Sequence, residues 1–143
     1  MDKMVNQRLI QAFQIKKCWL IQALAEQLGY SIPSVRRFLA KAGYFSSFTH
    51  NGRWYTLSSI PRFGKDGLWF HKEIGFSKNG SLTHTLVALI EKSPAGMTAD
   101  QLGKLLRCRC HAVLVQLCRK GQMQRQKHGR SYVYLSIAPD KAA

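Results

Sequence analysis

The chain has 143 residues, which suits one compact domain or two very small ones. It carries 22 Lys and Arg against 7 Asp and Glu, and the formal net charge of +15 points to a polyanionic partner, although such charge also keeps proteins soluble. Its apolar runs are far shorter than the roughly 20 residues that cross a bilayer, and residues 1–8 mix both charge signs without a long apolar core behind them. We therefore expect a cytoplasmic, nucleoid-associated protein with no membrane partner.

The sequence of residues 6–57 predicts three helices followed by a hairpin. Apolar spacing predicts the helices over about residues 6–13, 20–28 and 32–42. Gly29 suits the end of the second helix, and Ser31 can cap the third. Residues 44–49 and 53–57 have strand composition, and Asn51-Gly52 between them has the chemistry of a tight turn.

The same order recurs after residues 59–67, which read as a linker, and 68–76, which read as an extended segment. The predicted helices cover 82–92, a stretch opened by a capping box at Thr98-Ala99-Asp100-Gln101, and about 109–120. A hairpin follows, with strands over 123–127 and 130–135 and a turn at His128-Gly129. The recurrence of one element order predicts two units of the same kind.

An internal sequence repeat supports the two units. At an offset of 78 the halves match without a gap over residues 24–50, and one deletion then aligns Gly52-Arg53 with Gly129-Arg130. The apolar pairs are Leu24 with Leu102, Leu28 with Leu106, Val35 with Val113, and Leu39 with Leu117. These positions fall on helix faces that should be buried, so the repeat concerns architecture as well as sequence.

The segment Leu24-Ala25-Glu26-Gln27-Leu28-Gly29-Tyr30-Ser31, followed by Val35-Arg36-Arg37-Phe38-Leu39, resembles the two-helix reader of the winged helix-turn-helix superfamily. The resemblance covers about residues 5–58 and 82–136, and it implies an α+β, mainly α, fold of two tandem units, each with three helices and a β-hairpin wing. The expected segments are unit one over 1–58, a linker with an extended segment over 59–78, unit two over 79–137, and a C-terminal tail over 138–143. The usual ligand of this superfamily is duplex DNA, although winged helices also dock proteins.

Helix geometry indicates which side chains of residues 32–42 are free to meet DNA. At about 100° per residue, Ile32, Val35, Phe38, Leu39 and Ala42 face the core. The outward positions are Pro33, Arg37, Ala40 and Lys41, with Ser34 and Arg36 on the flanks. Because Arg can contact guanine or phosphate with two hydrogen bonds, Arg36 and Arg37 are the expected readers of base sequence.

The helix predicted over 109–120 departs from this pattern. Its core side takes Cys110, Val113, Leu114 and Leu117, and its outward side offers His111, Val115, Cys118 and Arg119. Val115 stands where Arg37 stands in the first unit, and there it could touch a thymine methyl or pack against protein. The expected DNA-binding residues of both units are Ser34, Arg36, Arg37, Lys41, His50, Arg53, Arg109, His111, Arg119, Arg125, Lys127, His128 and Arg130.

Four cysteines invite other interpretations. Without an export signal they are expected to be reduced thiols. On one helix Cys110 and Cys118 lie about 12 Å apart, too far to share one zinc ion, so no metal and no cofactor is predicted. A redox role for Cys108 would require an exposed thiol of lowered pKa. Signature motifs of phosphate-binding loops, zinc proteases and serine hydrolases are absent, so we do not expect an enzyme.

The sequence therefore predicts a sequence-selective binder of double-stranded DNA, acting as a transcription regulator or as the DNA-recognition accessory of a mobile element or nucleoprotein complex. One alternative is an adaptor that docks a protein partner, or forms a homodimer, through the second domain or the linker. Val115 and the aromatic segment Leu68-Trp69-Phe70 motivate that alternative. An RNA-binding protein is the other alternative, and charge alone supports it.

Overall fold

The computed structural model describes residues 3–137, and the predicted tail over 138–143 lies outside them. The chain divides into two compact units, Met1–Gly80 and Ser81–Ala143. The described residues form six α-helices and three small antiparallel sheets, which confirms the α+β class. Within that same part of the chain, no helix is both long enough and apolar enough to span a membrane.

The first unit begins with three helices and a three-stranded sheet. Its elements are α1 (Lys3–Ile15), β1 (Trp19–Leu20), α2 (Ile21–Leu28), α3 (Ile32–Ala42), β2 (Tyr44–Ser46), a 3₁₀ turn (His50–Gly52) and β3 (Trp54–Leu57). The strand order is β1-β3-β2. Leu9, Leu24, Val35 and Leu39 are at most 1% exposed and form the centre of the core between the three helices and Leu57 of β3.

A second hairpin belongs to the first unit, although residues 59–78 were expected as a linker with one extended segment. Its strands β4 (Leu68–His71) and β5 (Ile74–Ser77) pair antiparallel. Ile74 and Phe76 of β5 are buried against Cys18, and Phe45 and Trp54 of the first hairpin pack on the same cluster. The segment is therefore part of a folded unit, because its aromatic and aliphatic side chains cover the sheet.

The second unit repeats the arrangement without the extra hairpin. Its elements are α4 (Leu82–Glu91), β6 (Met97–Thr98), α5 (Ala99–Leu106), α6 (His111–Arg119), β7 (Gln124–His128) and β8 (Ser131–Leu135). The strand order β6-β8-β7 matches that of the first sheet. The predicted capping box is confirmed, since Thr98 Oγ1 accepts from Gln101 N and Gln101 Oε1 accepts from Thr98 N. Leu86, Leu102, Leu114 and Tyr134 are at most 1% exposed in its core.

The offset of 78 holds through the helices. Adding 78 to the residue numbers of β1 and α2 gives the residue numbers of β6 and α5. Of the four apolar pairs, three are buried in both units, and in the fourth Val35 is buried while Val113 is half-buried. The repeat in sequence is thus a repeat in structure.

The offset changes before the hairpins, and the predicted deletion inside them is wrong. The equivalent strand pairs are Ser46 with Tyr55 and Arg125 with Tyr134, joined by residues 47–54 and 126–133. They are equivalent because each tyrosine also pairs with the first residue of the preceding short strand, β1 or β6. The two connections are equally long, so Arg53 and Arg130 do not occupy equivalent positions.

Candidate nucleic-acid interface

The third helix of the first unit, α3, is anchored by its core side and presents cations on the other. Val35 and Leu39 are buried and Ile32 and Phe38 are half-buried, as the helical period predicts. Ala42 was expected in the core but is exposed, because α3 ends at this residue beyond the last buried turn. Arg36, Arg37 and Lys41 are all exposed.

Local hydrogen bonds organise the first turn of α3. Ser31 caps the helix, its Oγ accepting from Ser34 N at 3.3 Å, and also donates to Ser34 Oγ at 3.0 Å. The guanidinium of Arg37 donates to the same Ser34 Oγ at 3.1 Å. Ser34 is half-buried, and its hydroxyl holds the Arg37 guanidinium along the helix surface.

Arg36 meets the hairpin of the first unit across a solvent-open cavity of about 640 Å³. The cavity is lined by the start of α2, by Arg36 from α3, and by Arg53 from the hairpin. Its remaining polar lining includes Gln22, Glu26, Asn51 and Tyr55. Two guanidinium side chains and one carboxylate therefore share a concave surface that joins a helix to a hairpin. We call it the Arg36–Arg53 cavity.

The second hairpin braces the turn that carries His50 and Arg53. Phe48 N donates to Gly75 O at 2.9 Å, and Gly75 N donates to Thr49 Oγ1 at 3.0 Å. The same Thr49 hydroxyl lies 2.8 Å from Nδ1 of the exposed His50. These contacts tie the turn of one hairpin to strand β5 of the other, so the backbone next to His50 is packed against the second hairpin.

The α6 region of the second unit forms a smaller cationic cavity of about 350 Å³. Helix α6 begins at His111, so Arg109, which was predicted to lie on the helix, precedes it. Both residues are exposed, and both line the cavity with Lys104 and Asp100 of α5. Val115, expected on the outward face, is half-buried.

The hairpin of the second unit is its most cationic element. All five residues of β7 are exposed. Arg125 and Lys127 are two residues apart on this strand and so share one face. The Arg125 guanidinium lies 4.3 Å from the ring centre of Tyr132, which belongs to the opposite strand. His128 and Arg130, both exposed, flank Gly129 in the turn.

The structure groups some of the predicted site residues and leaves others apart. It brings Arg36 to Arg53 in one cavity and Arg109 to His111 in another. Lys41 and Arg119 are exposed near the ends of their helices and line neither cavity. Sequence reasoning missed Gln22, Asn51, Tyr55 and Lys104 as lining residues. Only the polar character of Gln22 and Lys104 in amphipathic helices could have indicated their exposure.

The four cysteines are free thiols with different environments. Burial raises the pKa of Cys18 to about 11 and also raises the pKa of Cys118. A hydrogen bond from Cys110 lowers the pKa of Cys108, and the same bond, with burial, raises the pKa of Cys110. Cys108 is half-buried rather than exposed. Among residues 3–137, no three His, Cys, Asp or Glu side chains are placed to hold a metal ion.

Comparison with known proteins identifies no relative of this chain. No protein-family model, no curated protein and no solved structure matches the chain.

Proposed function

We propose that the chain is a double-stranded DNA-binding protein made of two tandem winged helix-turn-helix units, and that it is not an enzyme. The order of elements supports this proposal. Each unit runs helix, short strand, helix, helix and hairpin, with the second strand of that hairpin at the centre of a three-stranded sheet, and the first unit then adds a second hairpin. A winged helix unit presents its third helix to the major groove and its hairpin, the wing, to phosphate or to the adjacent minor groove.

The Arg36–Arg53 cavity is the observation that carries the proposal. A cation from the third helix and a cation from the wing line the same open, concave surface. A DNA duplex is complementary to this surface. A helix can read base edges in the major groove, and the phosphates that border the groove can be contacted by the wing. Arg36 is the proposed reader and Arg53 the proposed phosphate contact, while Arg37 adds a second guanidinium on the exposed side of α3.

The two units make different contributions in this proposal. The helix α6 has His111, Gln116 and Arg119 as its exposed polar residues and a half-buried Val115 where α3 has Arg37. Its wing instead exposes Arg125, Lys127, His128 and Arg130. Exposed cations without base contacts bind phosphate and carry no sequence information. The first unit therefore selects the site, and the second unit anchors the protein to the duplex.

The adaptor alternative has less support than DNA binding. It requires an exposed apolar surface around Trp69, Phe70 and Val115. All three are half-buried, and Trp69 and Phe70 pack within the first unit, against Phe76 and Phe48 respectively. Regulation of transcription, or service as the recognition accessory of a mobile element or nucleoprotein complex, remains the proposed role.

The test is a titration of labelled duplex DNA at several salt concentrations, followed by fluorescence anisotropy. Duplexes selected by the protein from a random library supply the specific site. Displacement of counterions predicts a log–log slope of about −0.9 per phosphate neutralised, so several contacts give a slope of several units. Lys65→Ala, which removes an exposed cation outside the proposed surface, should leave affinity and slope almost unchanged. A slope near zero, or tighter binding of structured RNA in direct competition, would refute the proposal.

A further inference from the structure

Two cysteines separated by a single residue lie immediately before α6. Cys108 is half-buried and Cys110 is 2% exposed, and Cys110 Sγ donates to the Cys108 carbonyl oxygen at 3.5 Å. That contact folds the Cys110 side chain back toward residue 108. Both line the cavity that holds Lys104, Arg109 and His111. We propose that this pair is a modification site at which a hydroperoxide oxidises Cys108 and Cys110 to an intramolecular disulfide.

The surroundings assign a separate role to each thiol. A thiolate, not a thiol, attacks an electrophile, and neighbouring cations favour the thiolate. A hydrogen bond with the Cys110 side chain lowers the pKa of Cys108, and Lys104 and Arg109 line the same cavity as Cys108. Cys110 is the buried partner whose raised pKa keeps it protonated until Cys108 has reacted. Cys108 is therefore the attacking thiol and Cys110 the resolving thiol.

The chemistry proceeds in two balanced steps. The Cys108 thiolate attacks the outer oxygen of the hydroperoxide, the O–O bond breaks, and the departing alkoxide takes a proton to become an alcohol. Cys108 is then a sulfenic acid. The Cys110 sulfur attacks that sulfur, an S–S bond forms, the S–O bond breaks, and water leaves with the proton of Cys110. The two thiols lose two electrons in total, and the hydroperoxide gains them.

The other two cysteines serve as internal controls. Cys18 is 3% exposed, and its pKa is raised to about 11. Cys118 lies on α6, the helix that follows the proposed site, but burial raises its pKa. Both thiols should react slowly with electrophiles, since each lacks a neighbouring thiol that stabilises its anion.

The first measurement is the rate of alkylation of each cysteine in the reduced, full-length protein at neutral pH, followed by mass spectrometry. A lower pKa raises the thiolate fraction more than it lowers nucleophilicity, by a net factor of about three per unit. Because the pKa of Cys108 is lowered and that of Cys118 is raised, Cys108 should be alkylated faster than Cys118. Equal rates, or faster labelling of Cys18 or Cys118, would overturn the assignment.

The second measurement maps the product after treatment with a small alkyl hydroperoxide. Trypsin cleaves after Arg109, so the proposed disulfide joins peptide 108–109 to peptide 110–119. Cys118→Ser removes the other cysteine from the second peptide and should leave the linked product unchanged. Cys110→Ser should instead leave a sulfenic acid on Cys108, which a cyclic dione traps. A disulfide between Cys110 and Cys118, or between two chains, or no trapped sulfenic acid, would contradict the proposal.

Discussion

Replacing Gly75 by Ala should destabilise the first unit by overpacking. A Cβ atom at this position would lie 2.5 Å from Cζ of Phe48, 2.7 Å from its Cε2 and 2.9 Å from Cε1 of Phe70. Phe48 is 5% exposed, so its ring has little room to move. Overpacking of this kind costs about 1–3 kcal/mol. If β5 withdraws, the hydrogen bonds of Gly75 with Phe48 and Thr49 are lost as well, at about 0.5–1.5 kcal/mol each. We expect a total loss of about 2–6 kcal/mol.

The assay is urea unfolding followed by tryptophan fluorescence. The three tryptophans, Trp19, Trp54 and Trp69, all belong to the first unit, so the signal reports that unit alone. Gly64→Ala is the matched control, because its Cβ would approach only the carboxylate of Asp66, at 3.3 Å, and a carbonyl at 3.8 Å. That change should alter stability by less than about 0.5 kcal/mol. Equal midpoints for Gly75→Ala and the wild type would mean that residues 59–78 do not pack on the first unit.

Two further predictions concern the thiols and metals. A chelator should leave both folding and DNA binding unchanged, because no three potential ligands are clustered within residues 3–137; stoichiometric zinc in the purified protein would contradict this expectation. Burial raises the pKa of Cys18 to about 11, above its ordinary value of 9.0, so its neutral form contributes stability that is complete below about pH 9 and is lost as the pH rises through 11. Between about pH 8.5 and 11, a range that spans the ordinary and the raised pKa of Cys18, the free energy of unfolding should therefore fall less in Cys18→Ala than in the wild type. Parallel profiles would refute this assignment.

The helices of both units could be predicted from the sequence because each carries a strong local signal. Apolar spacing located α3 over Ile32–Ala42, and Ser31 and Gly43 mark its two ends. The capping box at Thr98 located the start of α5. Such signals depend on residues within one or two helical turns, so they can be recognised without knowledge of the tertiary structure.

The short strands and the second hairpin could not be predicted in the same way. Leu20 was expected in α2 but pairs with Trp54, and a strand of two residues has no period to detect. The turn between β4 and β5 contains Lys72 with φ 55° and Glu73, without the Gly or Asn that usually marks a tight turn. A single extended segment was therefore predicted where two strands pair.

The candidate site shows the same division. Exposure of Arg36 and Lys41 followed from the helical period. The meeting of Arg36 with Arg53 depends on how the hairpin folds against the helices, and no local pattern contains that information. The error in aligning Arg53 with Arg130 has the same origin, because strand register is set by pairing with β1 and β6.

The central claim is that α3 reads bases while the wings hold phosphates. Titration of single variants against the selected duplex and a scrambled duplex, at several salt concentrations, tests it most directly. Replacing Arg36 or Arg37 by Ala should cost about 1–3 kcal/mol on the selected duplex and relax selectivity. Replacing Arg53 or Arg130 should weaken both duplexes alike and reduce the salt slope by about one unit. If the α3 variants instead lose the same affinity for both duplexes, this helix does not read bases and the account is contradicted.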